Sequence, residues 1–222
     1  MKVIVTTGPS FEPIDEVRRL TNFSTGESGV RLSSHFAACG YDVFCLRGVG
    51  TTFPGAPENC RHVPFTTNDD LLGHLVNIGR EHEIGAVFHV AALCDFKVKA
   101  VVNAEGRRLQ MAKIDSRAGG LTIELEPARK IISELRGLFP NASLVGWKYE
   151  LNGTRDDALE KAWRQLRENR TDACVLNGRA YGRGFACCSL PDAVAHIQGK
   201  EELAHFLSSW LKERKRQREK EG

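Results

Sequence analysis

The chain has 222 residues, 41% of them hydrophobic, seven cysteines and a formal net charge of +3. That length and apolar content support one substantial core and exclude an intrinsically disordered chain. No apolar run approaches the roughly 20 residues of a membrane span, and MKVIVTTGPS lacks the roughly 7–15-residue apolar stretch of a signal peptide, so a cytoplasmic protein is expected.

In chain order, short Val- and Ile-rich runs alternate with stretches of helical periodicity. The pattern predicts strands at 2–7, 42–46, 61–65, 85–91, 143–147 and 173–176, and helices at 27–39, 68–82, 128–138, 155–169 and 199–217. Thr67 before Asn68 and Asp69, and Thr154 before Asp156 and Asp157, are helix-start signals; Gly40 is a stop. Strand–helix alternation of this kind predicts an α/β fold, a Rossmann-like domain with a mostly parallel sheet flanked by helices. Residues 95–125 break the rhythm with a basic, Gly-containing stretch ending in the alternating LTIEL, which predicts a flap returning through a paired strand. FACCSL at 185–190 predicts a further late strand.

One domain is expected over 1–210, followed by a basic tail over 211–222 that carries six Lys or Arg against three Glu. This tail reads as a solvated helix end rather than a nucleic-acid arm, and no membrane partner is expected. The cysteines show no CxxC pair and the histidines no HExxH, so no metal site built from protein ligands alone is expected and the thiols read as reduced.

Between the first strand and the first helix lies TGPSFEPIDEVRRLTNFSTGESG. Backbone amides at a helix start have no intrahelical partner, glycine admits close approach, and the helix dipole favours negative charge, so an anion belongs here. The spacing is not that of a dinucleotide fingerprint, because Gly8 stands alone after the strand and Gly26 and Gly29 come much later. Close packing of helix on strand is the other reading of Gly26 and Gly29.

With EPID, Val17, Arg18, Thr21, Asn22, Ser24, Gly26 and Gly29 in register, this segment resembles the first signature of the phosphopantothenate–cysteine ligase (phosphopantothenoylcysteine synthetase) family, GGTxEPIDxVRxISNxSSGxxG. VAALCDF, KIDSRAGGLTIEL and LVGWKYE resemble, in order, the family's AAAVADY, KIKSxxxxLTLEL and LVGFKxE, and ACVLN places Asn177 on its asparagine. The resemblance covers about residues 3 to 190. It implies a ligase joining 4′-phosphopantothenate to cysteine in coenzyme A biosynthesis through an acyl-nucleotide, with CTP or ATP and Mg²⁺. It further implies a stand-alone ligase without a flavin-binding decarboxylase domain, and a homodimer formed through the sheet edge of the late strands.

Site roles follow from the same resemblance. Asn22 would contact the acyl intermediate, Arg18 would pair with phosphate, and Lys113 would close over the phosphates from the flap, flanked by Arg107, Arg108 and Arg117. Gly8, Ser24, Gly26, Gly29, Asp95, Lys148 and Asn177 would form the nucleotide site. Plainer readings stand beside these: Asn22 as an Asx turn or helix cap, Arg18 as a solvated arginine, Asp95 as a loop cap, Lys148 as a surface residue and Cys94 as packing. The chain departs from the family at Asp115, where a second flap lysine is usual, at ARKI (128–131) for NPDI, at Phe11 within TGPSFEP, and at Glu27 for the lysine of SSGKMG. Two other classes remain in view. A non-catalytic nucleotide-binding module fits those losses. An NAD(P)-dependent oxidoreductase of the short-chain type would need Tyr-x-x-x-Lys, which none of Tyr41, Tyr149 and Tyr181 provides.

Overall fold

Strands buried on both faces need near-continuous apolar runs, and the Val- and Ile-rich segments supply them. The computed structural model describes residues 1–55, 59–109, 112–115, 119–190 and 192–221, so the expected flap residue Arg117 lies outside the described residues. In chain order the elements are β1 (Lys2–Thr7), β2 (Phe11–Pro13), β3 (Arg19–Thr21), α1 (Glu27–Ala38), β4 (Asp42–Gly48), β5 (Cys60–Phe65), α2 (Asn68–Glu81), β6 (Ile84–His89), β7 (Phe96–Asn103) and β8 (Leu121–Pro127). They continue with α3 (Ile131–Leu138), β9 (Ser143–Tyr149), α4 (Arg155–Glu168), β10 (Ala173–Asn177), β11 (Phe185–Ser189), β12 (Ala193–Ile197) and α5 (Lys200–Glu221).

Eight strands form the main sheet in the order β12-β11-β10-β9-β6-β1-β4-β5. All neighbours from β10 to β5 run parallel, and β11 and β12 add an antiparallel edge. This is the Rossmann-like α/β class expected. Alternate residues divide between two faces. Val3, Val5, Leu32, Phe36 and Leu207 pack β1 against α1 and α5, while Ile4, Leu46, Leu71, Ile131 and Leu135 pack the other face against α2 and α3. α4 covers the second face further along, through Ala158, Ala162 and Leu166 on Cys174 and Leu176. Its start is a capping box: Thr154 accepts from the Asp157 N–H while the Asp157 carboxylate accepts from the Thr154 N–H.

Several details differ from expectation, among them β12, where no strand is expected. The long turn after β1 contains a hairpin, β2–β3. The expected helix at 128–138 begins only at Ile131, because the Ala128 N–H is held by the Asp95 carbonyl and the Arg129 carbonyl accepts from Asn68 Nδ2. LTIEL returns as a paired strand, β8, as expected; its partner β7 begins directly after Asp95, and the pair forms a separate two-stranded sheet. The boundary expected at 211 falls inside α5, since that helix runs on to Glu221 with Leu211 buried in the core.

The last turns of α5 are tied down by charge. Asp172, just before β10, accepts from Arg136 Nη2 at 2.9 Å, Arg214 Nη2 at 2.5 Å and the Leu144 N–H at 2.7 Å. Arg218 donates to the Asn141 carbonyl. Half-buried guanidiniums, rather than a free basic tail, therefore fasten α5 to the base of β9 and β10.

Candidate functional site

β1 leads to β4 and β5 on one side, and β6 leads to β9 and β10 on the other, so the strand order reverses between β1 and β6. Connections diverge there and leave a crevice beyond the carboxyl ends of the strands. A cleft of about 1020 Å³ opens at that place. Asn22, Ser24, Gly26, Gly29, Asp95, Lys148 and Asn177 all line it. Seven of the ten expected site residues are thus brought together.

Gly26 begins α1 with φ 78°, and a Cβ on Gly29 would stand 2.3 Å from Thr7 Oγ1. Both readings of these glycines hold: α1 sits tightly on β1, and its amino terminus opens into the cleft. Gly8 has a packing role instead, since a Cβ there would fall 1.9 Å from Thr51 Oγ1, and it does not line the cleft.

Arg18 and Lys113 are also outside the cleft lining. Arg18 donates to Asp15 Oδ2 at 3.1 Å and to the Ile114 carbonyl at 2.9 Å, and Asp15 in turn accepts from the Ile114 N–H at 3.2 Å. The Asp of EPID gives Arg18 a partner within one turn, and the guanidinium is spent on fastening the flap segment to the β2–β3 hairpin. Burial opposes ionisation of Asp15, but N–H donors from Ile114, Val17 and Arg18, with the Arg18 charge, outweigh it and hold the carboxyl below its usual range. Lys113 is exposed on that tethered segment. Arg108 donates to the Lys99 carbonyl and, like Arg107, does not reach the cleft.

The positive charge of the cleft comes from elsewhere: Arg129, Lys130, Lys148, Lys161, Arg164 and Lys200 face the carboxylates of Glu27, Asp95 and Glu168. Lys148, at the end of β9, lies 3.2 Å from Glu150 Oε1, and Lys161 lies 2.7 Å from Glu150 Oε2. Burial raises the Glu150 pKa, yet its bonds to Lys161 and Lys148 win and leave it lowered. Glu27 pairs with Lys200 and, at 2.8 Å, with Arg31, and those two hydrogen bonds lower its pKa. The cation lost at position 27 is answered from α5. Arg129, Lys130 and Arg164 have no side-chain partner among the described residues.

Sequence reading found Lys148 but passed over the other cations for identifiable reasons. Lys161, Arg164, Gln165 and Glu168 share one face of α4 at the spacing of an ordinary solvated helix. Arg129 and Lys130 were visible only as the ARKI departure, and the late start of α3 leaves both at the cleft mouth.

Asn22 spends one amide N–H on the Leu93 carbonyl at 2.8 Å and keeps its other N–H and Oδ1. The Asn177 Oδ1 is buried without a partner among the described residues. Cys94 is buried, donates to backbone carbonyls of Ser10 and Leu20, and has its pKa raised by burial, so it packs rather than reacts. Among the described residues no group of three His, Cys, Asp or Glu is placed to hold a metal, and no helix is long and apolar enough to cross a membrane.

His89 also lines the cleft, and burial depresses its pKa to about 4. The unfolded chain takes up this proton near pH 6.5 and the folded chain does not, so the contribution is complete above that pH and is lost as pH falls toward 4. Between pH 7.5 and 4.5 the wild type is expected to lose about 2.5 kcal/mol more than His89→Leu in urea unfolding. Parallel pH curves for the two proteins would refute this.

The domain described as "DNA/pantothenate metabolism flavoprotein C-terminal domain" matches residues 1–208, and the chain belongs to that family. It is 29% identical over 183 residues to the coenzyme A biosynthesis bifunctional protein CoaBC of Thermococcus kodakarensis, an alignment covering 82% of this chain and 42% of that protein. The chain therefore spans less than half the length of that relative. The fold is shared with the DNA/pantothenate metabolism flavoprotein from Streptococcus pneumoniae, with TM-score 0.83 and 24% identity over 96% of this chain and 98% of that one. It is also shared with the Cab2 mutant H337A in complex with phosphopantothenate-cysteine, with TM-score 0.68 and 18% identity over 96% of this chain and 88% of that one.

Proposed function

We propose that this chain is a phosphopantothenate–cysteine ligase domain of coenzyme A biosynthesis. The observation that carries the reading is the switch-point cleft, where Asn22, the α1 amino terminus and Lys148 meet a set of cations suited to a triphosphate and a phosphorylated acid. The 4′-phosphopantothenate carboxylate attacks the α-phosphorus of CTP or ATP, expelling pyrophosphate and leaving a mixed anhydride. The cysteine amine then displaces the nucleoside monophosphate and loses its proton. Lys148, Lys161, Arg129, Lys130 and Arg164 offset the phosphate charge, and Asn22 holds the acyl group without adding charge. Magnesium fits this arrangement as an ion carried mainly by nucleotide phosphates, with Asp95 and Glu168 as the cleft carboxylates free of an ion-pair partner among the described residues. Homodimerisation belongs to the same proposal: β12 is an edge strand with Val194 exposed, and β8 exposes Leu121, Ile123 and Leu125 along one face.

The test is pyrophosphate release by purified protein with Mg²⁺, 4′-phosphopantothenate and cysteine, with CTP and ATP supplied separately. Release with either nucleotide, dependent on the acid, supports the ligase and selects the base. In Asn22→Asp the new carboxylate repels the acyl-nucleotide phosphate, so amide formation is expected to fall about tenfold more than acyl-nucleotide formation. Equal effects on the two half-reactions would remove Asn22 from that role. A second reading, a nucleotide-binding module without ligase chemistry, draws on the placement of Arg18 and Lys113 outside the cleft. Nucleotide binding without pyrophosphate release would select it.

A further inference from the structure

His89 ends β6 directly opposite Thr6 of β1, at the junction where the strand order reverses. Thr6 is fully buried, and its Oγ1 has two partners: the Ala91 N–H at 3.2 Å and His89 Nδ1 at 2.9 Å. The amide can only donate. The hydroxyl proton therefore has one acceptor among the described residues, His89 Nδ1. Were Nδ1 protonated, two hydrogens would meet at Thr6 and the hydroxyl proton would be buried with no acceptor, which is the costly arrangement. Hydrogen-bond bookkeeping thus places the imidazole proton on Nε2, the nitrogen with no partner among the described residues.

The orientation of that donor follows from the sheet. Val87, two residues earlier on the same face, packs with Ile131 and Leu135 of α3, so His89 looks to the α3 side of the cleft. On that side the cleft lining nearest the sheet is apolar, Ala91, Leu93, Ile131 and Ile132, while the cations Arg129 and Lys130 stand exposed at its mouth. Phosphates are better served by those exposed cations. A neutral ligand atom is what the apolar lining can hold without leaving a buried charge unpaired.

We propose that His89 is a specificity-determining residue of this cleft, whose Nε2–H donates to an uncharged acceptor of the bound substrate, a carbonyl oxygen or ring nitrogen. Two substrates of the proposed ligase carry such atoms, the nucleotide through its base and the pantothenate moiety through its amides, and the inference rests on the ligase reading for their identity alone. Loss of the donor leaves an acceptor without a partner beside a buried side chain, so discrimination is its expected consequence.

The experiment uses the full chain labelled with ¹⁵N-histidine. Long-range ¹H–¹⁵N correlations of the free protein are expected to show His89 as the Nε2–H tautomer, and CTP, ATP and 4′-phosphopantothenate are then titrated separately. The ligand that supplies the acceptor shifts the Nε2–H resonance. Its Kd rises about tenfold in His89→Leu and stays within about threefold of wild type in His89→Gln, which keeps an N–H donor. An Nδ1–H tautomer overturns the proposal, as does tight binding that leaves Nε2 unmoved or a His89→Leu affinity equal to wild type. Absence of binding by all three overturns the ligase reading and this proposal together. Binding that shifts His89 without any pyrophosphate release overturns the ligase reading alone.

Discussion

Lys148→Met is expected to lower kcat/KM for acid-dependent pyrophosphate release about 100-fold, close to 2.7 kcal/mol of transition-state stabilisation, while moving the urea midpoint little. Lys148 leaves the end of β9 into the cleft with its side chain 34% exposed, and its fixed partner is Glu150. Glu150 also holds Lys161 at 2.7 Å, so deleting Lys148 does not strand the carboxylate. A partly exposed pair contributes at most about 1 kcal/mol to folding, which is why stability is spared. In the proposed reaction the same ammonium would face phosphate oxygens that gain charge, a preorganised arrangement, and methionine preserves the length of the side chain but not the charge. Lys161→Met is expected to be milder in activity and costlier in stability, because Lys161 forms the shorter bond to Glu150. Activity of Lys148→Met within about threefold of wild type would place Lys148 among ordinary surface residues.

The second large effect is structural. Asp172→Ala removes one carboxylate and leaves the Arg136 and Arg214 guanidiniums, with side chains 17% and 28% exposed, beside each other, and it strips the Leu144 N–H of its acceptor. Like-charge repulsion and an unpaired amide add, so a loss of about 3 kcal/mol in urea unfolding is expected. Asp172→Asn retains an acceptor for the Leu144 N–H and is expected to lose about half as much. Arg214→Met in the alanine background should restore part of the loss by removing the repulsion. Independent, additive losses would show that the three groups do not act as one network.

Much of this protein is written locally. Runs such as KVIVTT and ACVLN are buried on both faces, and Thr67 and Thr154 cap α2 and α4 through their own neighbours, so the positions of these strands, the starts of α2 and α4 and the parallel class follow from the sequence. The glycines at 26 and 29 likewise announce the opening of α1, because φ 78° and the contact with Thr7 admit little else. β12 escaped because its alternating exposure in AVAHI is too short to stand out. Asn22, Lys148 and Asn177 reach one cleft because Lys148 and Asn177 stand in the last residues of β9 and β10 and Asn22 directly follows the β2–β3 hairpin, all near the switch point.

What the sequence by itself determined, then, is the alternation of elements and the end of the sheet at which they gather chemistry, since both depend on periodicity and on neighbours a few residues apart. Tertiary structure alone decided the charges and donors that line the cleft. Arg18 turns away because Asp15 and Ile114, 96 residues further on, satisfy it; Glu27 meets Lys200 across 173 residues; and the Thr6–His89 pair exists only where β1 lies beside β6. A side chain's protonation, partner and direction are set by what folding places within about 3 Å of it, and no spacing along the chain encodes that distance.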